Sequence, residues 1–202
     1  MASSKTVICN MALGNLGVGV EVADVDTERS AEARACRRFF DESVRATLRD
    51  FPWSFASVYE VLGMIEEDPN DYYGYSYTYP TTCLRPIKIM SGIRNDKRST
   101  RVHYEISYGV SSTIIFTDQQ EAVMKFVQNV TDVSRFPPDF VLALSWRLAT
   151  YMAPKLTSGD PFKLKEHCMR MYFAELDLAK ANMLNEQQVE IEPDCDLLDS
   201  RT

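Results

Sequence analysis

The sequence is poor in the groups on which most active sites and metal centres depend. It has two histidines, His103 and His167, and it lacks the motifs GxxxxGK[ST], GxGxxG, GxSxG and HExxH. His167 adjoins Cys168, but neighbouring side chains on a helix point about 100° apart. We therefore expect no catalytic residues, no metal site and no cofactor.

An excess of positive charge is also missing. The formal net charge is −7, which disfavours general binding of this chain to nucleic-acid phosphates. Residues 189–202 contain five acids and one arginine, so this segment carries −4 and the rest of the chain carries −3.

No apolar run reaches the roughly 20 residues of a membrane span. The first residues, MASSKTVIC, lack the apolar core of a signal peptide. The five cysteines are odd in number and form no CxxC pair. We expect a protein made in the cytoplasm whose cysteines stay reduced and act as small apolar residues.

Residues 31–56 carry the strongest pattern in the chain, and a helix is predicted over residues 27–50. Apolar residues recur there at spacings of three and four, which places them on one stripe of an α-helix: Ala33, Cys36, Phe40, Val44 and Leu48. Asp26 or Thr27 is expected to cap the start of this helix. Pro52 should end it near Asp50, because proline lacks a backbone N–H and disfavours helix at the preceding residue. The aromatic residues that follow, Phe51, Trp53 and Phe55, are expected to be buried as a cluster.

A second stripe of this helix is charged and consists of Arg34, Arg38, Asp41, Arg45 and Arg49. Pairs within the helix, Arg38 with Glu42 and Asp41 with Arg45, would contribute a few tenths of a kcal/mol each. The alternative is that Arg34, Arg38, Arg45 and Arg49 form subunit–subunit contacts with acids of a neighbouring copy.

Three more helices are predicted, at residues 5–16, 138–155 and 160–185. The helix at 138–155 is apolar around most of its circumference and should lie at the centre of the fold. We expect the four helices to pack as one helical body formed by residues 1–56 and 135–185.

Residues 57–134 change to a period of two, which is typical of strands. Strands are expected at 55–62, 83–90, 102–108, 113–117 and 123–130, with a turn at 109–112 and an acidic loop at 66–70. Pro86 indicates an edge strand or a bulge. The predicted fold class is α+β: an α-helical bundle with an inserted, mainly antiparallel β subdomain and an extended C-terminal tail.

Tyrosines follow one another two residues apart at Tyr73, Tyr75, Tyr77 and Tyr79, on one face of an extended segment. This face either packs on a small core or is offered to a partner, since tyrosine is enriched at interfaces.

Four motifs follow in order: CNMALGNLG at 9–17, EARACRRFFD at 32–41, LRDFPWSFA at 48–56 and YTYPTTCLR at 77–85. Together they resemble the tail tubular protein A family of tailed bacteriophages, the podovirus-type head-to-tail adaptors. The resemblance extends over residues 6–182.

The resemblance implies a structural virion protein without enzymatic turnover. It would form a homo-oligomeric ring, a dodecamer that matches the portal protein, and would extend the DNA channel at the head–tail junction. Double-stranded DNA would pass through without sequence-specific binding, and a near-neutral body suits a channel in which DNA slides. The expected partners are the portal, the distal tail (nozzle) and tail fibre proteins, with assembly in the host bacterial cytoplasm and no membrane.

The acidic tail, residues 186–202, has no regular period and is expected to be extended. The resemblance implies that it docks on the portal through Val189, Ile191, Pro193, Leu197 and Leu198. Tyr73, Tyr75 and Tyr77 are the predicted contact with the next tail component. The alternative function is a small cell-wall glycan hydrolase that uses a carboxylate pair; acids are so plentiful that the sequence singles out no pair.

Overall fold

The computed structural model describes residues 4–93, 101–109, 112–157 and 159–186. Within these residues the chain forms four α-helices and two antiparallel sheets, a mixed α+β class. The helices are α1 (Lys5–Asn15), α2 (Ala31–Asp50), α3 (Pro138–Leu156) and α4 (Pro161–Glu186). The strands are β1 (Ser57–Val61), β2 (Met64–Asn70), β3 (Tyr73–Thr78), β4 (Cys83–Met90), β5 (Tyr104–Tyr108), β6 (Thr113–Thr117) and β7 (Val123–Gln128).

Helix α2 has the predicted apolar stripe and ends at Asp50 as predicted, but its start differs. Ser30 is the N-cap residue, and its hydroxyl accepts from the backbone N–H of Ala33 at 3.2 Å. The predicted cap at Asp26 or Thr27 is wrong, because those residues form a turn in which the Thr27 hydroxyl donates to Asp24 at 2.6 Å. Serine is as good a cap as aspartate, so the pattern alone did not separate them.

Helix α1 ends in a left-handed glycine. Gly17 has a φ of +72°, and its N–H donates to the carbonyl of Gly14 at 2.9 Å while that of Val18 donates to Leu13 at 3.1 Å. This pair of bonds is a Schellman motif, which satisfies carbonyls that the helix leaves free.

Two side chains hold the connector between α1 and α2. The Asn10 amide donates to the carbonyl of Val22 and accepts from its N–H, both at 2.9 Å. Arg37 donates to the carbonyl of Glu28 at 2.8 Å and also to that of Val25. The connector therefore has a fixed path although it has no regular structure.

Helix α3 lies at the centre of the helices, as its apolar circumference predicts. It packs against α1, α2 and α4, and the Cys36 thiol of α2 contacts the Met152 sulfur of α3 at 3.6 Å. The core of this region includes residues from all four helices, among them Ile8, Leu48, Phe140, Leu144, Leu148 and Tyr172.

The aromatic cluster after α2 forms around a fully buried Trp53. Its ring centroid lies 5.4 Å from Phe51, 6.1 Å from Phe55 and 5.0 Å from Phe140 of α3. The indole N–H donates to the carbonyl of Thr47 at 2.9 Å. Trp53 thus joins the end of α2 to α3, as expected of a buried cluster.

The strands form a three-stranded sheet in the order β1-β7-β4 and a four-stranded sheet in the order β2-β3-β6-β5. Each pairing among the described strands is antiparallel. Met124 and Phe126 of β7 pack in a core between the sheets, whereas Val127 packs in the helical core. The three-stranded sheet therefore contributes to both cores.

Two of the predicted β features are confirmed. The β5–β6 hairpin forms with Tyr108 paired to Thr113. Strand β4 is an edge strand, and its register shifts on both sides of Pro86.

The predicted acidic loop at 66–70 is wrong, because these residues belong to β2. Pro69 is tolerated there since β2 lies at the edge of its sheet and its register shifts between Glu67 and Asn70. Asp68 adopts a φ of +48° within this irregular stretch.

In the described part of the chain, no helix is both long and apolar enough to cross a bilayer. Cys9, Cys36 and Cys168 are buried free thiols, as expected of small apolar residues, and Cys83 is half-buried. Cys195 lies outside the described residues.

Candidate functional site

The four predicted contact arginines, Arg34, Arg38, Arg45 and Arg49, are all exposed on one side of α2. Their spacing of four and seven residues places the four side chains on the same side of the helix, beside the stripe that packs on α3. The structure therefore leaves the guanidinium groups accessible to another molecule.

The predicted ion pairs within α2 are wrong. In the described residues neither Arg38 with Glu42 nor Asp41 with Arg45 approaches within 4 Å; Arg45 lies 3.7 Å from Glu42 instead. That contact is exposed on both sides, so it contributes about 1 kcal/mol or less. Arg38 lies over the ring of Phe39, 5.6 Å from its centroid. Arg34 forms no ion pair with the described part of the chain.

A groove of 680 Å³ lies beside these arginines, and we call it the arginine groove. Its walls carry Arg45, Arg49 and Glu42, and its apolar lining comes from Phe39, Ala46, Leu84 and Tyr151. The rings of Phe39 and Tyr151 stack at 6.2 Å. The Arg85 guanidinium donates to the carbonyl of Arg49 at 3.1 Å, which fixes β4 against the end of α2. An open groove of this kind, apolar inside and basic at the rim, suits an acidic and apolar protein segment.

The tyrosine face is mostly turned into the subunit. Tyr77 is buried, and its hydroxyl donates to the carbonyl of Gln119 at 2.8 Å. Tyr75 packs against the core between the sheets, 6.4 Å from Tyr77, and Tyr73 stacks on Phe116 at 6.1 Å. Tyr77 therefore cannot serve as a contact with the next tail component, and that prediction is corrected to the half-buried Tyr73 and Tyr75.

The two most exposed tyrosines of the described residues lie outside the tyrosine face. Tyr72, in the turn between β2 and β3, and Tyr108, at the end of β5, are each 85% exposed. The turn is held by Asn70, whose side-chain oxygen accepts from the N–H groups of Tyr72 and Tyr73 at 2.9 Å. An Asn at the end of a strand is a signal for such a turn, and it marks Tyr72 as a tip residue.

A polar cluster joins three helices, and sequence reasoning did not find it. Arg147 of α3 donates to Asp50 of α2 and, at 2.8 Å, to the hydroxyl of Tyr172 of α4. The Tyr172 hydroxyl donates to Asp50 at 2.5 Å. Burial, and then the hydrogen bond to Asp50, raises the pKa of Tyr172 above its usual range. The available signal was Arg147 itself, which is the one charge between Asp139 and Lys155.

Two adjacent carboxylates, Asp41 and Glu42, line a second groove of 460 Å³, which shares Glu42 and Arg45 with the arginine groove. Adjacent residues on one helix diverge by about 100°, whereas a glycan hydrolase needs two carboxyl groups that face each other across a cleft. The pKa of Asp24 is lowered by hydrogen bonds, first from the Thr27 hydroxyl, and that of Asp132 in the same way by Ser134. A general acid needs the opposite shift.

Among the described residues, no cluster of three or more potential ligands is placed to hold a metal ion. Cys168 is buried and His167 is exposed, so the two side chains point apart as expected. The His167 ring lies 6.0 Å from Trp146 in an edge-on contact. His103 is exposed just before β5.

The predicted portal-docking residues, Val189, Ile191, Pro193, Leu197 and Leu198, lie outside the described residues. The chain matches no protein-family model, and a search of curated proteins finds no match. The resemblance carried by the four sequence motifs therefore stays a prediction.

Proposed function

We propose that this chain is a structural head-to-tail adaptor of a tailed-bacteriophage virion, similar to tail tubular protein A. Copies of the chain form a dodecameric ring between the portal and the distal tail, and the ring extends the DNA channel. The protein acts by its shape and its contacts, without turnover or cofactor.

The observation that carries the proposal is that three motif segments are buried in one core and the fourth joins that core to the core between the sheets, through Leu84 and Tyr77. Cys9 of the first motif and Cys36 of the second are both buried in it, and Trp53 of the third lies at its centre. Arg85 of the fourth donates to the carbonyl of Arg49 in the third. Motifs that are separate in sequence but hold one fold together are what a family signature requires, which supports the resemblance.

A second support comes from the surface of α2. The arginine groove combines exposed guanidinium groups with an apolar lining. Of the four exposed arginines of α2, only Arg45 lies within 4 Å of an acid in the described residues. A monomeric protein has no partner for such a surface, whereas a ring subunit contacts a neighbouring subunit on each side.

The architecture that we propose for the ring subunit has three parts. Residues 1–56 and 135–185 form the helical body, residues 57–134 form the inserted β subdomain, and residues 186–202 form the tail that reaches the portal. The separate core between the two sheets supports this division. The four helices have a core of their own, which includes Val127 of the neighbouring sheet.

The mass of the purified protein, alone and mixed with portal, tests the proposal. We expect one copy of the chain per portal subunit in the complex, measured by light scattering after size exclusion. The same preparation is assayed for release of cell-wall glycan fragments.

A chain that stays monomeric with portal present would contradict the proposal. So would glycan cleavage by the monomer that is lost in Asp41→Asn or Glu42→Gln, because it would favour the hydrolase. Lys163→Glu, an exposed change on α4 far from these carboxylates in sequence, is the control for that assay.

A further inference from the structure

The strand β2 forms a second incomplete surface of the subunit, and we call it the acidic edge. It pairs with β3 on one side only and ends its sheet. Neither of its faces is covered: Met64 is 54% exposed and Ile65 is 50% exposed, although they point to opposite faces. Its acids, Glu66, Glu67 and Asp68, are exposed as well.

No basic residue lies close to the acidic edge in the sequence. The chain has no lysine or arginine between Arg49 and Arg85, a stretch that contains six acids. In the described residues, Glu66 and Glu67 form no ion pair. An exposed edge strand leaves a row of backbone N–H and C=O groups that can pair with another chain.

The arginine groove and the acidic edge are complementary in charge and in apolar character. Arg45 and Arg49 rim the groove, and Phe39, Leu84 and Tyr151 line it. The acidic edge offers carboxylates next to Met64 and Ile65. The groove supplies the positive charge and the edge supplies the negative charge, and both carry apolar side chains that can pack together.

We propose that the acidic edge of one subunit occupies the arginine groove of the next subunit, an inference that rests on the proposed ring. Glu66 and Glu67 meet Arg45 and Arg49, while Met64 or Ile65 packs against the apolar lining. The contact is heterologous, since it joins two different patches of the same chain, and repetition of a heterologous contact generates a ring when the rotation between neighbouring subunits closes.

A second copy is the occupant that the residues favour. Every subunit carries both surfaces, so the partner is supplied in equal number. A duplex of DNA fits the groove less well, because its phosphates gain nothing from the apolar lining, whereas Met64 and Ile65 of the acidic edge can pack there.

A charge exchange between the two surfaces tests this interface. Arg45→Glu with Arg49→Glu, and separately Glu66→Lys with Glu67→Lys, place like charges opposite each other. Each double variant should raise the concentration needed for ring assembly by about tenfold or more. The chain that carries all four changes restores the opposite charges and should recover assembly. Assembly is followed by light scattering over a concentration series with portal present, and circular dichroism checks that every variant is folded.

Lys163→Glu with Arg170→Glu is the matched control for the arginine variant, because it makes the same change in net charge on exposed positions of α4. It should leave assembly within about twofold of the unmodified chain, as expected of charges outside the contact. Loss of assembly in this control would overturn the interface, since net charge and not position would then decide the result.

Three further outcomes would also overturn it. One is assembly of the double variants at the same concentration as the unmodified chain, and another is failure of the folded fourfold variant to recover assembly. Binding of duplex DNA that only the arginine changes abolish, with ring mass unchanged, would assign the groove to DNA. Failure of the unmodified chain to form a ring would contradict the proposed function itself. Ring assembly by the charge variants at the same concentration as the unmodified chain would contradict only this interface.

Discussion

Trp53→Ala is the change that most directly tests how the helices are held together. Trp53 is fully buried, and truncation of a buried aromatic residue costs about 3–5 kcal/mol. The three ring contacts and the indole hydrogen bond to Thr47 place this site in the upper part of that range, at about 4–5 kcal/mol. For a chain of this length such a loss lowers the melting temperature by roughly 10–20 °C.

Urea unfolding followed by far-ultraviolet circular dichroism measures the change, because it does not depend on tryptophan fluorescence. Trp53→Phe is the matched variant: it keeps an aromatic ring but leaves the Thr47 carbonyl without its donor, which should cost about 1–3 kcal/mol. The order of stability should be unmodified chain, Trp53→Phe, then Trp53→Ala. A loss below about 1 kcal/mol for Trp53→Ala would refute the reasoning, because a core anchor cannot be removed so cheaply.

The remaining predictions concern the helix junction and the two partner surfaces. Arg147→Met leaves Asp50 without its cation and should destabilise the chain by about 1–3 kcal/mol in urea, a smaller effect than for a fully buried pair because Asp50 is partly exposed; equal stability would mean that the cluster does not hold the helices. Tyr73→Ser with Tyr75→Ser should spare the ring and weaken attachment of the next tail component in a pull-down, and a chain that fails to fold would assign both residues to the core. Deletion of residues 187–202 should leave a folded helical body but strongly weaken co-sedimentation with portal, and added salt should weaken the intact complex; undiminished binding would exclude the tail from the contact.

The helices were predictable because their signals are local. The apolar stripe of α2 and Pro52 place its end at Asp50, as observed. Its start was less certain, because Asp26, Thr27 and Ser30 are all good capping residues and only the hydrogen bond of Ser30 decides among them.

The errors in the β region have a different cause. Residues 66–70 carry acids and a proline, which are typical of a loop, yet pairing with β3 makes them a strand. Edge strands tolerate such residues because one side makes no ladder bonds and the faces are not buried. Pairing is a long-range property, so composition alone gave the wrong assignment.

The surfaces were predicted only in part. Exposure of the arginines follows from the helical period, but their lack of the expected partners depends on side-chain conformations. The period of two placed Tyr73, Tyr75 and Tyr77 in an extended segment, which is β3, but it did not indicate that Tyr77 is buried in the core between the sheets. Arg147, Asp50 and Tyr172 are far apart in sequence and meet only because α2, α3 and α4 pack together.

The central claim is that copies of this chain form a ring on the portal. Native mass spectrometry of the purified portal with the chain in excess measures the number of bound copies directly. We expect a single complex with one chain per portal subunit, and no partly filled rings at saturation. A portal that stays free, or a chain that remains monomeric beside it, would exclude the proposed ring.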